Sequence, residues 1–173
     1  MTESAPRPEF SRFVALGDFP AAGERLNLEA DEGQRAALAK RFDVIRINIL
    51  SGAMSISATQ KRIDITGRLE AQLIRRCVVT LDEMVERIDE PLELAFVRDA
   101  DLLDEDDETG AGPELHQGAE IDVGELLAQQ LSLAMAPFPR EEGATLDSDH
   151  AVAVETSPFA AIAGKFSKIE QNH

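Results

Sequence analysis

From Ile45 to Leu73 apolar and polar residues alternate almost without a break, the mark of strands that each bury one face. Ile45, Ile47 and Ile49 fall on one side, with Arg46 and Asn48 on the other. Met54, Ile56 and Ala58 then alternate with Ser55 and Ser57, and Ser51–Gly52 between the two runs predicts a bend or bulge. Thr59–Lys61 is read as a turn. Beyond it Ile63, Ile65, Gly67, Leu69, Ala71 and Leu73 alternate with Asp64, Thr66, Arg68, Glu70 and Gln72, the longest strand signal in the chain. Ile88, Leu92, Leu94 and Phe96 place another strand near 87–97. Ser11 to Leu16 gives a short one, and Leu26–Asn27–Leu28 a further short strand or lead-in. Strands that follow one another through short connections pair antiparallel, because parallel neighbours need a long crossover.

Two helices complete the pattern. Asp31 is an N-cap candidate, followed by Ala36, Ala37, Leu38, Ala39 and Phe42, with Lys40–Arg41 in the last turn. Asp122 caps a second run, with Glu125 three residues on, Leu126, Leu127, Leu131 and Ala134 at helical spacing, and Pro137 as the stop. The expected fold is α+β: a twisted antiparallel sheet, open or partly barrel-like, from strands near 11–16, 44–58, 62–78 and 87–97. Helices near 32–42 and 122–135 pack against it. Residues 11–140 form one domain, with 1–10 flexible and 99–118 a mobile acidic loop. Residues 141–173 are a mobile tail in which a short amphipathic segment, 158–169, follows a Ser157–Pro158 helix start.

The 173 residues carry a formal charge of −16, unevenly spread. Nine basic and three acidic residues between Arg35 and Arg76 make that segment +6 and leave −22 on the rest. An acidic body favours basic partners, while a local basic face suits RNA phosphates. Lys61, Arg62, Arg68, Arg75 and Arg76 are therefore the RNA-contact candidates; the alternative is charge that keeps an exposed strand edge unsociable. All eight aromatic residues are Phe, which argues against a base-stacking platform. Asp104, Glu105, Asp106 and Asp107 are candidate contacts for a basic partner. So are Phe159, Ile162 and Phe166 in the terminal segment, which otherwise docks on its own domain.

Catalytic chemistry finds little purchase. Cys77 is the single cysteine, and with His116, His150 and His173 it supplies no clustered set of zinc ligands. A free Cys in a strand reads as a small buried hydrophobe. Asp104 to Glu108 lacks the ligand spacing and central Gly of a calcium loop, and no phosphate loop or serine-nucleophile motif occurs. No catalytic residue, metal, cofactor or small-molecule substrate is expected. No apolar leader occupies 1–10 and no run reaches the ~18 residues of a membrane span, so a soluble cytoplasmic protein with no membrane partner is expected.

Three stretches resemble the large ribosomal RNA subunit accumulation protein (YceD) family. Ile65–Ala71 running into Arg76–Asp82 is similar to the family's strand and Cys-centred segment, with Gly67, Cys77, Thr80 and Leu81. Glu120 to Arg140 is similar to its helix and Pro-x-Pro-Arg run, with Asp122, Pro137, Pro139 and Arg140. Ser157–Ala163 is similar to its C-terminal Pro-Phe segment. Many family members carry a second Cys shortly before the one matched by Cys77; here Gln72 to Arg76 holds none, so no role for a Cys pair carries over. The resemblance implies a non-enzymatic part in accumulating large-subunit rRNA; the uneven charge, and not the resemblance, points to a ribosomal protein, that rRNA, or both as partners. A metal- or thiol-dependent RNA-processing enzyme, and a scaffold for one basic protein without RNA contact, are the alternatives.

Overall fold

A computed structural model describes residues 8–17, 23–103 and 112–145. Its main body is an open five-stranded sheet: β2 (Glu24–Glu29), β3 (Arg46–Ala58), β4 (Arg62–Arg76), β5 (Glu83–Val97) and β6 (Glu114–Leu115), neighbours in that order. β1 (Phe13–Ala15) and β7 (Glu120–Asp122) form a separate antiparallel ribbon. Helices α1 (Glu32–Arg41) and α2 (Val123–Ala134) both cover one face of the sheet, α1 over β3 and α2 over β4 and β5. The fold is α+β, and the sheet does not close into a barrel.

The alternation determines the covered face. Leu50, Met54 and Ile56 of β3, Ile63, Ile65, Leu69 and Leu73 of β4, and Ile88, Leu92 and Phe96 of β5 are all buried there. Leu38, Val123, Leu127 and Leu131 close the core from the helix side. Two glycines permit close approach. A Cβ on Gly52 would stand 2.8 Å from a Leu127 methyl, so Gly52 lets α2 sit down on β3. A Cβ on Gly67 would run into the Ala53 carbonyl and stand 2.7 Å from Met54 Cα, so only glycine fits at this point of the β3–β4 ladder.

Several expectations need correction. The strand expected near 11–16 is not in the main sheet, because its partner is Glu120–Asp122, a strand too short to show a period. Ser51–Gly52 remains in register, and the irregularity falls instead between Ile47 and Ile49. β5 starts at Glu83, before the expected Arg87, because Met84 and Val85 continue the ladder opposite Arg75 and Ile74. The sheet is mixed, since β6 pairs parallel with β5 at Phe96 and Val97. β6 and a 3-10 turn, Ala100–Leu102, both fall within the expected acidic loop. Pro8–Phe10, expected to be flexible, pack onto the body: Phe10 is buried and Glu9 is ion-paired to Arg41. Residues 141–145, the start of the expected tail, contain a turn closed by an Ala144 N–H bond to the Glu141 carbonyl.

Candidate functional site

β4 ends at Arg76, and the chain then makes a tight loop into β5. Cys77 N–H donates to the Asp82 carbonyl at 2.9 Å and Leu81 N–H to the Cys77 carbonyl at 2.9 Å; Thr80 Oγ1 accepts from Asp82 N–H at 3.3 Å. Closing the loop forces Leu81 to φ +66°, the left-handed region that branched side chains avoid, while its side chain stays 66% exposed. A large apolar side chain is thus held outward on a strained stretch of backbone.

The Pro137–Arg140 run lies across this loop. Pro139 is buried and its carbonyl accepts from Val78 N–H at 2.9 Å, while Glu141 N–H donates to Cys77 Sγ at 3.4 Å. One step away, Arg75 Nη1 donates to Glu86 Oε2 at 2.6 Å and to the Ala136 carbonyl at 2.8 Å, and Ala136 N–H donates back to Glu86 Oε1 at 2.8 Å. Cys77 is fully buried beneath the junction, whereas Val78, Leu81 and Phe138 are exposed around it. The backbone N–H groups of Glu141 and Thr80 draw the thiol pKa down from 9.0 to about 7, against the opposing push of burial. The sulfur therefore acts as a hydrogen-bond acceptor that pins the Pro-x-Pro-Arg run in place. Pro137 and Arg140 are exposed on its outer side.

The basic segment is less free than its sequence suggests. One of its strands, β4, lies beside the acidic β5, and four of its nine cations are ion-paired. Arg62 pairs with Asp64, Arg68 with Asp89 through two hydrogen bonds, Arg75 with Glu86, and Arg41 with Glu125 and Glu9. Alternation along the ladders puts Arg25, Arg46, Arg62, Arg68, Arg76 and Arg87 on the uncovered sheet face, with Glu29, Asp64, Glu70, Glu83, Asp89 and Glu93 among them. That face is electrically balanced. Among the RNA-contact candidates, Arg75 is turned inward, Arg62 and Arg68 are neutralised at the surface, and Lys61 and Arg76 stand at opposite ends of β4's neighbourhood without an acidic partner among the described residues.

The candidates therefore do not form one patch. A closer grouping is Arg35 and Lys40, which line a groove between α1 and the start of β3, floored by Ala36, Ala39 and Val44, with Glu32 as the one acid and Arg46 at its rim, where its side chain turns to the uncovered face and donates to Asn48 Oδ1. The sequence held a signal for it: two cations on α1 five residues apart, and a third opening the next strand. Asp104, Glu105, Asp106, Asp107, Phe159, Ile162 and Phe166 lie outside the described residues.

Among the described residues no three His, Cys, Asp or Glu side chains are placed to hold a metal ion, and no helix is long and apolar enough to cross a membrane. Comparison with family models, curated proteins and solved structures finds no match for this chain.

Proposed function

We propose that the protein is a cytoplasmic, non-enzymatic factor in assembly of the large ribosomal subunit, supporting accumulation of its rRNA as the resemblance to the YceD family implies. One observation carries the reading. The Cys-centred segment and the Pro-x-Pro-Arg run, two of the stretches that resemble the family, are some sixty residues apart in sequence, yet Val78 bonds directly to Pro139, and the flanking Cys77–Glu141 and Arg75–Glu86–Ala136 bonds hold the same junction. A shared structural unit is a physical reason for both stretches to be present in one chain. The action is binding: the acidic body takes a basic ribosomal protein, and the cations without acidic partners face rRNA.

The test is depletion of the protein from cells, reading the ratio of large- to small-subunit rRNA, alongside affinity capture scored for bound protein and RNA. A lowered ratio with large-subunit components recovered is expected. An unchanged ratio, with neither large-subunit proteins nor their rRNA captured, would overturn the reading. The thiol-enzyme alternative has the lowered Cys77 pKa on its side and complete burial against it. Cys77→Ser separates the two: the binding reading expects rRNA accumulation to persist.

A further inference from the structure

β5 runs for 15 residues, but only its last two, Phe96 and Val97, pair with β6. The remainder is a sheet edge with no strand beside it among the described residues. Its outward-facing backbone groups can be identified. Arg98 N–H points inward, to the Lys61 carbonyl, and the Val97 carbonyl points outward, to His116 N–H at 2.8 Å. The β4–β5 register has no shift, so direction alternates strictly back along the strand. Arg87, Asp89, Pro91 and Glu93 therefore turn their carbonyls to the open side, and all but Pro91 turn an N–H there too. Pro91 sits where a missing N–H costs the ladder nothing.

We propose that this edge of β5, from Arg87 to Glu93, accepts an extended Lys/Arg-rich peptide segment as an added strand. The chain itself already uses the same edge for strand addition at β6. Charge selects the occupant. β5 carries Glu83, Glu86, Asp89, Glu90 and Glu93 against Arg87 alone. A second copy pairing edge to edge would bring together two strands whose acids each outnumber their bases by four, and the chain's own acidic run at 104–108 would likewise add acid to acid. A basic strand meets Glu90 and Glu93, which have no ion-pair partner among the described residues. On the helix side it meets a groove lined by Glu90, Leu92, Gln130 and Leu133, the last 78% exposed. The fitting segment thus alternates cationic with aliphatic residues, in the strand-addition mode of peptide recognition.

This deepens the protein-binding half of the function proposed above and is tested with purified components, so its failure and that of the role in rRNA accumulation are distinguishable. The probe is a short peptide alternating Lys with Val, with an Asp–Val peptide as control, added to the full chain and followed by amide hydrogen exchange. New protection at Arg87, Asp89 and Glu93 with the Lys peptide alone is expected. Glu93→Pro, which removes an outward N–H only, is expected to keep the fold and weaken binding about tenfold. Glu93→Gln should weaken it less and reduce its salt dependence. Binding without protection of these amides would overturn the proposal, as would equal binding of the Asp peptide. Protection already present in the free chain would also overturn it, its concentration dependence then distinguishing a second copy from the chain's own terminal residues.

Discussion

Glu86 is asked to do three things at once: accept from Arg75, hold the Ala136 amide, and keep β5 in register under the end of α2. Both side chains of the pair are nearly covered, at 16% and 12% exposure. Removing one charge from such a pair strands the other where water cannot repay it. Glu86→Gln is therefore expected to cost about 3 kcal/mol in urea unfolding; a loss below about 1 kcal/mol would show the pair to be screened like a surface one. Cys77 gives a pH-dependent counterpart. Its thiol ionises at about 7 in the folded protein and near 9.0 when free. The folded state thus favours the thiolate, and Cys77 adds stability as pH rises from about 7 to 9, an increment complete above that interval and absent below it. Stability measured across this range should rise more steeply in the native protein than in Cys77→Ser. Parallel curves would mean that the amides do not reach the sulfur.

At the scale of elements, Asp122 joins three of them. Its carboxylate accepts from Gly124 and Glu125 N–H at 3.1 Å, capping α2, and from Arg12 N–H at 2.7 Å and the Ser11 hydroxyl, fastening the β1–β7 ribbon. Asp122→Ala loses the cap and the fastening together, and about 2 kcal/mol is expected, with amide exchange quickening first at Phe13–Ala15. If exchange there stays slow while stability falls, the ribbon is held by packing alone. The cap was legible in the sequence, but only half of the capping box formed: Glu125 turns away to make two hydrogen bonds to Arg41. The complete box is at α1, where Asp31 and Gln34 exchange side-chain bonds to backbone at 2.8 and 2.9 Å. The long strands were readable because one buried face imposes a period over many residues. β1, β6 and β7 were misplaced or missed because two or three residues carry no period, and their pairing is decided by distant partners. The Cys77 junction was readable as two separate motifs, but not as one site. Nothing in a strand-end cysteine announces that its sulfur accepts from an amide 64 residues later.

For the whole molecule, charge that is uneven along the chain is partly evened out by folding. Summing Arg35 to Arg76 gives +6, but the ladders lay that segment against β5, whose acids outnumber its bases by four. What survives as positive surface is the α1–β3 groove, with Arg35 and Lys40 along it and Arg46 at its rim. A phosphate contact releases counterions only if the cation is not already neutralised by a carboxylate, so Arg62 and Arg68 are poor donors to RNA and the groove cations good ones. The two sets can be compared directly. Replacing Arg35, Lys40 and Arg46 by Gln is expected to weaken rRNA binding and lower the slope of log affinity against log salt by about three, close to one per lost phosphate contact. Replacing Arg62 and Arg68 by Gln is expected to leave the slope unchanged, since each already spends its charge on Asp64 or Asp89. Salt titration of both variants with a large-subunit rRNA fragment decides the matter. Equal slopes in the groove variant and the native protein would move the proposed RNA contact out of the groove, and would end the proposed division of labour between an acidic edge for protein and a basic groove for RNA.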